Sequence, residues 1–128
     1  MDVKITDIEK YLEEVKAAIN AGRYRVEIND NRQDNQDLFL NYIISEEKRK
    51  QILLSLESID FSEIRHNTHK GYEHELLYVF GKDVKLLRRF SSGEEQVSLY
   101  IKFNKLETRY VIVISFHEQR YPIKYMFK

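Results

Sequence analysis

The sequence predicts an α+β fold in which N-terminal helices pack on a C-terminal, mainly antiparallel β-sheet. Apolar residues recur at helical spacing as far as about Leu56, the period changes to alternation after Ser58, and Tyr110 to Phe116 is apolar on both faces. A strand of the last kind is covered on both sides, so it belongs inside a sheet rather than at its edge.

Thr6-Asp7-Ile8-Glu9 fits a capping box that opens the first helix, with Thr6 as the cap. Ile8, Tyr11, Leu12, Val15, Ala18 and Ile19 follow on one stripe, and Gly22 supplies the left-handed stop. Arg23 to Ile28 alternates as a short edge strand before the polar loop Asn29 to Asn35. Asp34 or Asn35 is the expected cap of a second helix containing Leu38, Phe39, Tyr42 and Ile43, and Ser45 caps a third that ends near Leu56. Ile59 to Ile64 is a strand entry. His74 to Leu87 and Gln96 to Lys105 are long strands joined through Ser91-Ser92-Gly93-Glu94.

Strand alternation turns Val97, Leu99, Ile101 and Phe103 to one face and Ser98, Tyr100 and Lys102 to the other. By the same rule Ile112, Ile114 and Phe116 share one face of the last long strand, and Val111, Val113, Ser115 and His117 share the opposite one. Pro122 allows at most a short edge strand over Ile123 to Phe127.

Length and composition predict one folded unit over residues 1–128, because a chain with 42% hydrophobic and 33% charged residues can bury a core and is not of disordered type. The absence of cysteine excludes disulfides and thiolate metal ligation, which makes the cytoplasm the expected compartment. The first residues carry no signal-peptide pattern and no run suits a membrane span. Formal net charge is zero, yet Met1 to Gly81 holds 11 basic against 16 acidic side chains and Lys82 to Lys128 holds 10 against 5. That asymmetry predicts a basic surface on the C-terminal sheet, where a polyanion could dock.

The C-terminal elements bring Tyr100 and Lys102 towards His117 and Arg120, with Lys85, Arg88 and Arg89 on the preceding strand. Metal-free RNA cleavage needs a base for the 2′-hydroxyl, positive charge for the phosphorane and an acid for the departing 5′ oxygen. Imidazole, phenol, ammonium and guanidinium can fill those roles. His117 is therefore expected as general acid or base, Tyr100 as an aid to proton transfer, and Lys102 with Arg120 as phosphorane stabilisers. Lys85, Arg88 and Arg89 would track the RNA backbone, and Tyr121 would stack on a base. The run RHNTHKGYEHE holds His66, His69 and His74 but lacks metal-protease or zinc-finger spacing. It is expected to form a loop near the site, with Lys70 available for phosphate. No metal or other cofactor is expected, and the four glycines build no phosphate-cradling loop or dinucleotide fingerprint.

The order and spacing of VKAAINAGRYRV, ILLSLESIDFSEI, GYEHELLYVFG, VSLYIKF and VIVISFHEQ resemble the MqsR-type toxins of bacterial type II toxin–antitoxin modules, messenger-RNA interferases with a RelE-like fold. The resemblance spans most of the chain. It implies a catalytic lysine just after Asp60-Phe61, where this chain has Ser62 and Glu63, so Lys70 is the nearest substitute. It implies a tyrosine nearest Ser98, and Tyr100 lies two residues later on the same face. The implied basic residue after the Ser-Phe pair corresponds to His117, and the implied glutamine falls near Leu77. A metal-independent endoribonuclease neutralised by a cognate antitoxin is the activity these likenesses imply. The alternative is a non-catalytic protein-interaction module of the same fold, carried by a mobile element.

Overall fold

The computed structural model describes residues 2–28 and 32–128. It contains α1 (Ile5–Asn20), β1 (Tyr24–Val26), α2 (Gln33–Asn41), β2 (Tyr42–Ile43), α3 (Glu46–Leu54), a 3-10 turn (Ser58–Asp60), β3 (Phe61–His66), β4 (Leu76–Arg88), β5 (Glu94–Lys105) and β6 (Val111–Glu118). The class is α+β, but two short strands are interleaved with the helices. Of the polar loop expected over Asn29 to Asn35, residues 29–31 lie outside the described set.

Helix α1 begins one residue before Thr6. Lys4 is the cap, and its backbone N–H donates to Asp7 Oδ2 at 3.0 Å, so the short Asp7 carboxylate does the work expected of Glu9. All six stripe residues are buried. The far end is a Schellman turn: Gly22 takes φ 76°, Gly22 N–H donates to the Ile19 carbonyl at 3.1 Å, and Arg23 N–H donates to the Ala18 carbonyl at 2.8 Å.

The cap of α2 is Arg32, leaving Asp34 and Asn35 inside the first turn. The helix stops at Asn41, and Tyr42–Ile43 leave it to pair with Arg88 and Leu87 as β2. Aromatic and β-branched side chains at this point favour the strand. Arg89 accommodates the exit, its guanidinium donating to the carbonyls of Phe39 (2.7 Å), Leu40 (3.0 Å) and Tyr42 (3.2 Å). Ser45 caps α3 as expected, its Oγ accepting from Lys48 N–H at 3.0 Å, and the helix closes at Leu54.

The sheet order is β1-β6-β5-β4-β2, with β3 also pairing β4; β1 runs parallel to β6 and the remaining pairs are antiparallel. Strand β6 is thus interior, hydrogen-bonded on both sides. One face carries the core: Phe80, Leu86, Val97, Leu99, Ile101, Phe103, Val111, Val113 and Phe116 cluster with the α1 stripe and with Leu53 and Leu56. Tyr11 stacks on Tyr78 with ring centroids 3.7 Å apart, and Phe39 of α2 stacks on Phe116 at 5.8 Å.

The expected faces of β6 are corrected by a bulge. Lys102 pairs with Ser115 and Phe103 with Val113, which leaves Ile114 as an extra residue and reverses the alternation after it. Phe116 consequently joins Val111 and Val113 in the core, whereas Ser115 and His117 fall on the same side as Ile112.

Beyond Gln119 no strand forms. The segment from Pro122 to Lys128 is instead strapped across the open face of the sheet, Ser62 Oγ donating to the Lys124 carbonyl at 2.6 Å and Met126 N–H to the Phe61 carbonyl at 3.0 Å. Gly81 permits this crossing, since a Cβ there would stand 2.6 Å from Ile123 Cδ1 and would also strike Tyr125 Oη. No described helix is long and apolar enough to cross a membrane.

Candidate functional site

The open face of the sheet is walled at three places, and a cleft of about 390 Å³ remains between the walls. Its floor is Tyr100, Lys102, Leu77, Ser115 and His117. Loop residues 66–69, the N-terminus of α2 and the tail residues Tyr121 and Ile123 enclose it.

Asn35 sets the α2 wall. Its side chain is 1% exposed, its Nδ2 donates to the carbonyls of Glu27 (2.7 Å) and Ile114 (2.9 Å), and its Oδ1 accepts from Phe116 N–H at 2.8 Å. Strand β1 ends before the bulge, so this amide satisfies the backbone that β1 leaves behind. Arg32 and Asp34 are brought beside Ser115 and His117 as a result. The loop wall is pinned through Glu75, whose Oε1 accepts from Asn67 Nδ2 (2.9 Å) and Asn104 Nδ2 (3.1 Å).

Tyr100 and His117 are register partners, and their rings stack with centroids 5.1 Å apart and planes 11° from parallel. His117 Nδ1 lies 2.8 Å from the Glu118 carbonyl, a geometry that places the proton of the neutral ring on Nδ1 and leaves Nε2 as the acceptor. Burial is the main cause that pushes the Tyr100 phenol above its ordinary value, opposed in part by Arg65. The phenol is therefore a proton-bearing group and not a ready base. Lys102 is shifted the other way: burial first, then the neighbouring positive charges of Arg32 and Arg65, lower its ammonium from the usual 10.5. Three cations directed at one space create a demand for an anion, and an ammonium held this way gives up its proton more readily than a surface lysine.

Five of the expected residues meet here: His117, Tyr100, Lys102, Arg120 and Tyr121 all line the cleft. Arg120 does so as half of a bidentate pair, its Nε and Nη2 reaching the Asp34 carboxylate at 3.0, 2.6 and 2.5 Å. Its charge is answered by Asp34, and it buttresses the wall. Tyr121 stands at the mouth, 68% exposed.

The other four lie elsewhere. Lys70 is on the far side of the loop, lining a neighbouring cavity. Lys85 is exposed and pairs in register with Gln96, four residues and about 13 Å along β5 from Tyr100. Arg88 is bound to Glu95, and Arg89 holds the α2 carbonyls. Among the described residues, no three His, Asp or Glu side chains converge on a metal position; His66 and His69 face the cleft, and His66 Nδ1 lies 3.1 Å from the Glu73 carbonyl.

Sequence reasoning missed Arg65 and Arg32. Arg65 pairs with Leu77 on β3 and so shares the face of Tyr100 and Lys102. Its signal was the alternation Glu63, Arg65 against Ile64, obscured by the bulge between Phe61 and Glu63. Arg32 carried no comparable signal, because its position depends on Asn35 reaching β6. Comparison with protein-family models, with curated proteins and with solved structures returns no match to this chain.

Proposed function

We propose that the chain is a metal-independent endoribonuclease of the RelE and MqsR type, acting on messenger RNA in the open-face cleft. The observation that carries this reading is the convergence of a stacked Tyr100–His117 pair with Lys102, Arg65 and Arg32 in one cleft. On this proposal His117 Nε2 removes the 2′-hydroxyl proton, the 2′ oxygen forms its bond to phosphorus, and the bond from phosphorus to the 5′ oxygen breaks. Lys102 gives its proton to that leaving oxygen. The products are a 2′,3′-cyclic phosphate and a 5′-hydroxyl end.

Tyr100 and Lys102 are alternate residues on one strand face, about 7 Å apart, a span that brackets a phosphodiester. Arg65 and Arg32 carry the phosphorane charge in place of Arg120, whose bidentate hold on Asp34 is tighter than the 3.7 Å contact of Arg65 with Glu63. Arg65 also supplies, from β3, the cation that resemblance to the MqsR type leads one to seek just after Phe61. Tyr100, kept protonated by burial, holds the imidazole plane and donates to a phosphate oxygen. A cognate antitoxin is the proposed protein partner.

The test is incubation of the protein with a long natural RNA in EDTA, beside His117→Ala of equal thermal stability. Cyclic-phosphate ends from wild type, and a rate lower by about 10²–10⁴ for the variant, are expected. Wild-type cutting by His117→Ala would sink the assignment.

One observation favours the interaction-module reading. Leu40, Ile43, Leu87 and Phe90 lie exposed around the β2–β4 pairing, Phe90 at 79%. If RNA stays intact both alone and on translating ribosomes, while a protein partner is lost on Phe90→Ser, that reading replaces the first.

A further inference from the structure

The cleft does not end at its loop wall. Asn67 and His69 line it on one side and, on the other, a second cavity of about 470 Å³ walled by Lys70 and Tyr72. The floor of this second cavity is Asn104, Leu106 and Ile112. Asn104 and Ile112 are register partners and continue the rows that run from Tyr100 through Lys102 and from His117 through Ser115. The two cavities are therefore successive stations on one sheet face, with Tyr100 and Asn104 about 13 Å apart.

Chemistry at the second station differs from that at the first. Leu106 and Ile112 offer an apolar seat, Tyr72 a ring 56% exposed, and Lys70 an exposed ammonium. An aromatic face over an apolar floor suits a nucleobase, and an adjacent flexible ammonium suits a backbone phosphate. Tyr121 stands exposed at the opposite end of the first cleft, so exposed rings bracket the cations at both ends.

The loop that presents these groups is tied to itself. Tyr72 N–H donates to the His69 carbonyl at 3.0 Å, Glu75 N–H to the Tyr72 carbonyl at 2.9 Å, and Asn67 N–H to the Glu75 carbonyl at 3.0 Å. Its two carboxylates are both engaged, Glu73 accepting from Gly71 and Tyr72 N–H and Glu75, which also lines the second cavity, from Asn67 and Asn104. A prearranged loop loses little conformational freedom when a ligand arrives.

We propose that the cavity behind the loop is a second nucleotide subsite, which takes a base against Tyr72 and a phosphate against Lys70 from the same single RNA strand whose scissile phosphate occupies the first cleft. The subsite rests on the ribonuclease reading. It assigns Lys70 to substrate binding away from the reacting atoms, and it sets a minimal substrate of several nucleotides.

The test compares binding of an unstructured, uniformly 2′-O-methylated dodecamer with turnover of a cleavable dinucleotide, in wild type, Lys70→Glu, Tyr72→Ala and Tyr72→Phe. Tyr72→Ala is expected to weaken dodecamer binding about tenfold, with Tyr72→Phe close to wild type. Lys70→Glu is expected to weaken it and to reduce the salt slope by about 0.7. Melting temperature and dinucleotide turnover should be unchanged in all three. Wild-type dodecamer affinity in both Tyr72→Ala and Lys70→Glu would overturn the subsite while leaving the ribonuclease reading intact. Failure of wild type itself to bind or cut RNA would remove both.

Discussion

The sheet carries two groups of basic residues, and only one of them is arranged to receive an anion. At the β4–β5 hairpin end, Arg88 is bound to Glu95 and Arg89 to three carbonyls of α2 and β2. At the cleft end, Lys102 faces Arg32 and Arg65, the latter 3.7 Å from the exposed Glu63 carboxylate. Arg88, Arg89 and Lys102 lie in the basic C-terminal part of the sequence, whereas Arg32 and Arg65 lie in the acidic N-terminal part. What separates them is the partner each cation has found. Arg88 and Arg89 are held by their partners, whereas Lys102 is half-buried opposite two guanidiniums, and that opposition sets the cleft for an anion.

The contrast is broken most severely by Lys102→Met. On the proposed ribonuclease reading, cleavage of RNA should fall by about 10²-fold or more, as loss of an acid and a phosphate cation together requires. Stability should move the opposite way, because the substitution removes a charge that burial and two guanidiniums disfavour. The sign follows from linkage: the folded-state value lies below the usual 10.5, so the unfolded chain binds the extra proton. The penalty is fully present below the lowered value and is relieved as pH rises from there to 10.5. Wild type should accordingly gain stability on Lys102→Met at pH 7 and lose that advantage in strongly alkaline solution, as thermal melts at the two conditions would report. A melting temperature at pH 7 that drops would mean that Lys102 is held by favourable contacts.

Arg89→Ala tests the structural group. Three carbonyls at the α2 exit lose their donors, which should cost about 1–3 kcal/mol in denaturant unfolding while leaving RNA affinity per folded molecule unchanged. A fall in RNA affinity with undiminished stability would return Arg89 to the backbone-tracking role expected from sequence.

Legibility followed the range of the interaction. The α1 stripe, the Ser45 cap and the outward row Tyr100, Lys102 depend on residues within a turn or a pleat of each other, and local periodicity displays them. The face of Phe116 was misread because a single extra residue, Ile114, reverses every later side chain, and nothing in VIVISFHE marks it. Asn35 resembled a helix cap because Asn often is one. Its actual partners, at Ile114 and Phe116, lie 79 and 81 residues away in sequence. The cation of β3 was sought at Lys70 for the same reason: the neighbourhood of Tyr100 is made by register, and the register of β3 is shifted by its own bulge.

The smallest effect is the sharpest probe of the comparison. Lys85 is exposed, lies on β4 with Arg88 and on the open face with Lys102, and does not line the cleft. If bulk positive charge on this sheet recruited RNA, Lys85→Gln would lower affinity and reduce the salt slope by about 0.7, as any lost phosphate contact on a single strand does. If the opposed cations of the cleft do so, the substitution should leave the slope unaltered and change stability by less than about 0.5 kcal/mol. Salt titrations of Lys85→Gln and of Arg65→Gln, run side by side, separate the two. A slope that falls equally in both would mean that the proposed RNA strand lies along the whole sheet, and that the division between a structural and a functional set of cations does not hold.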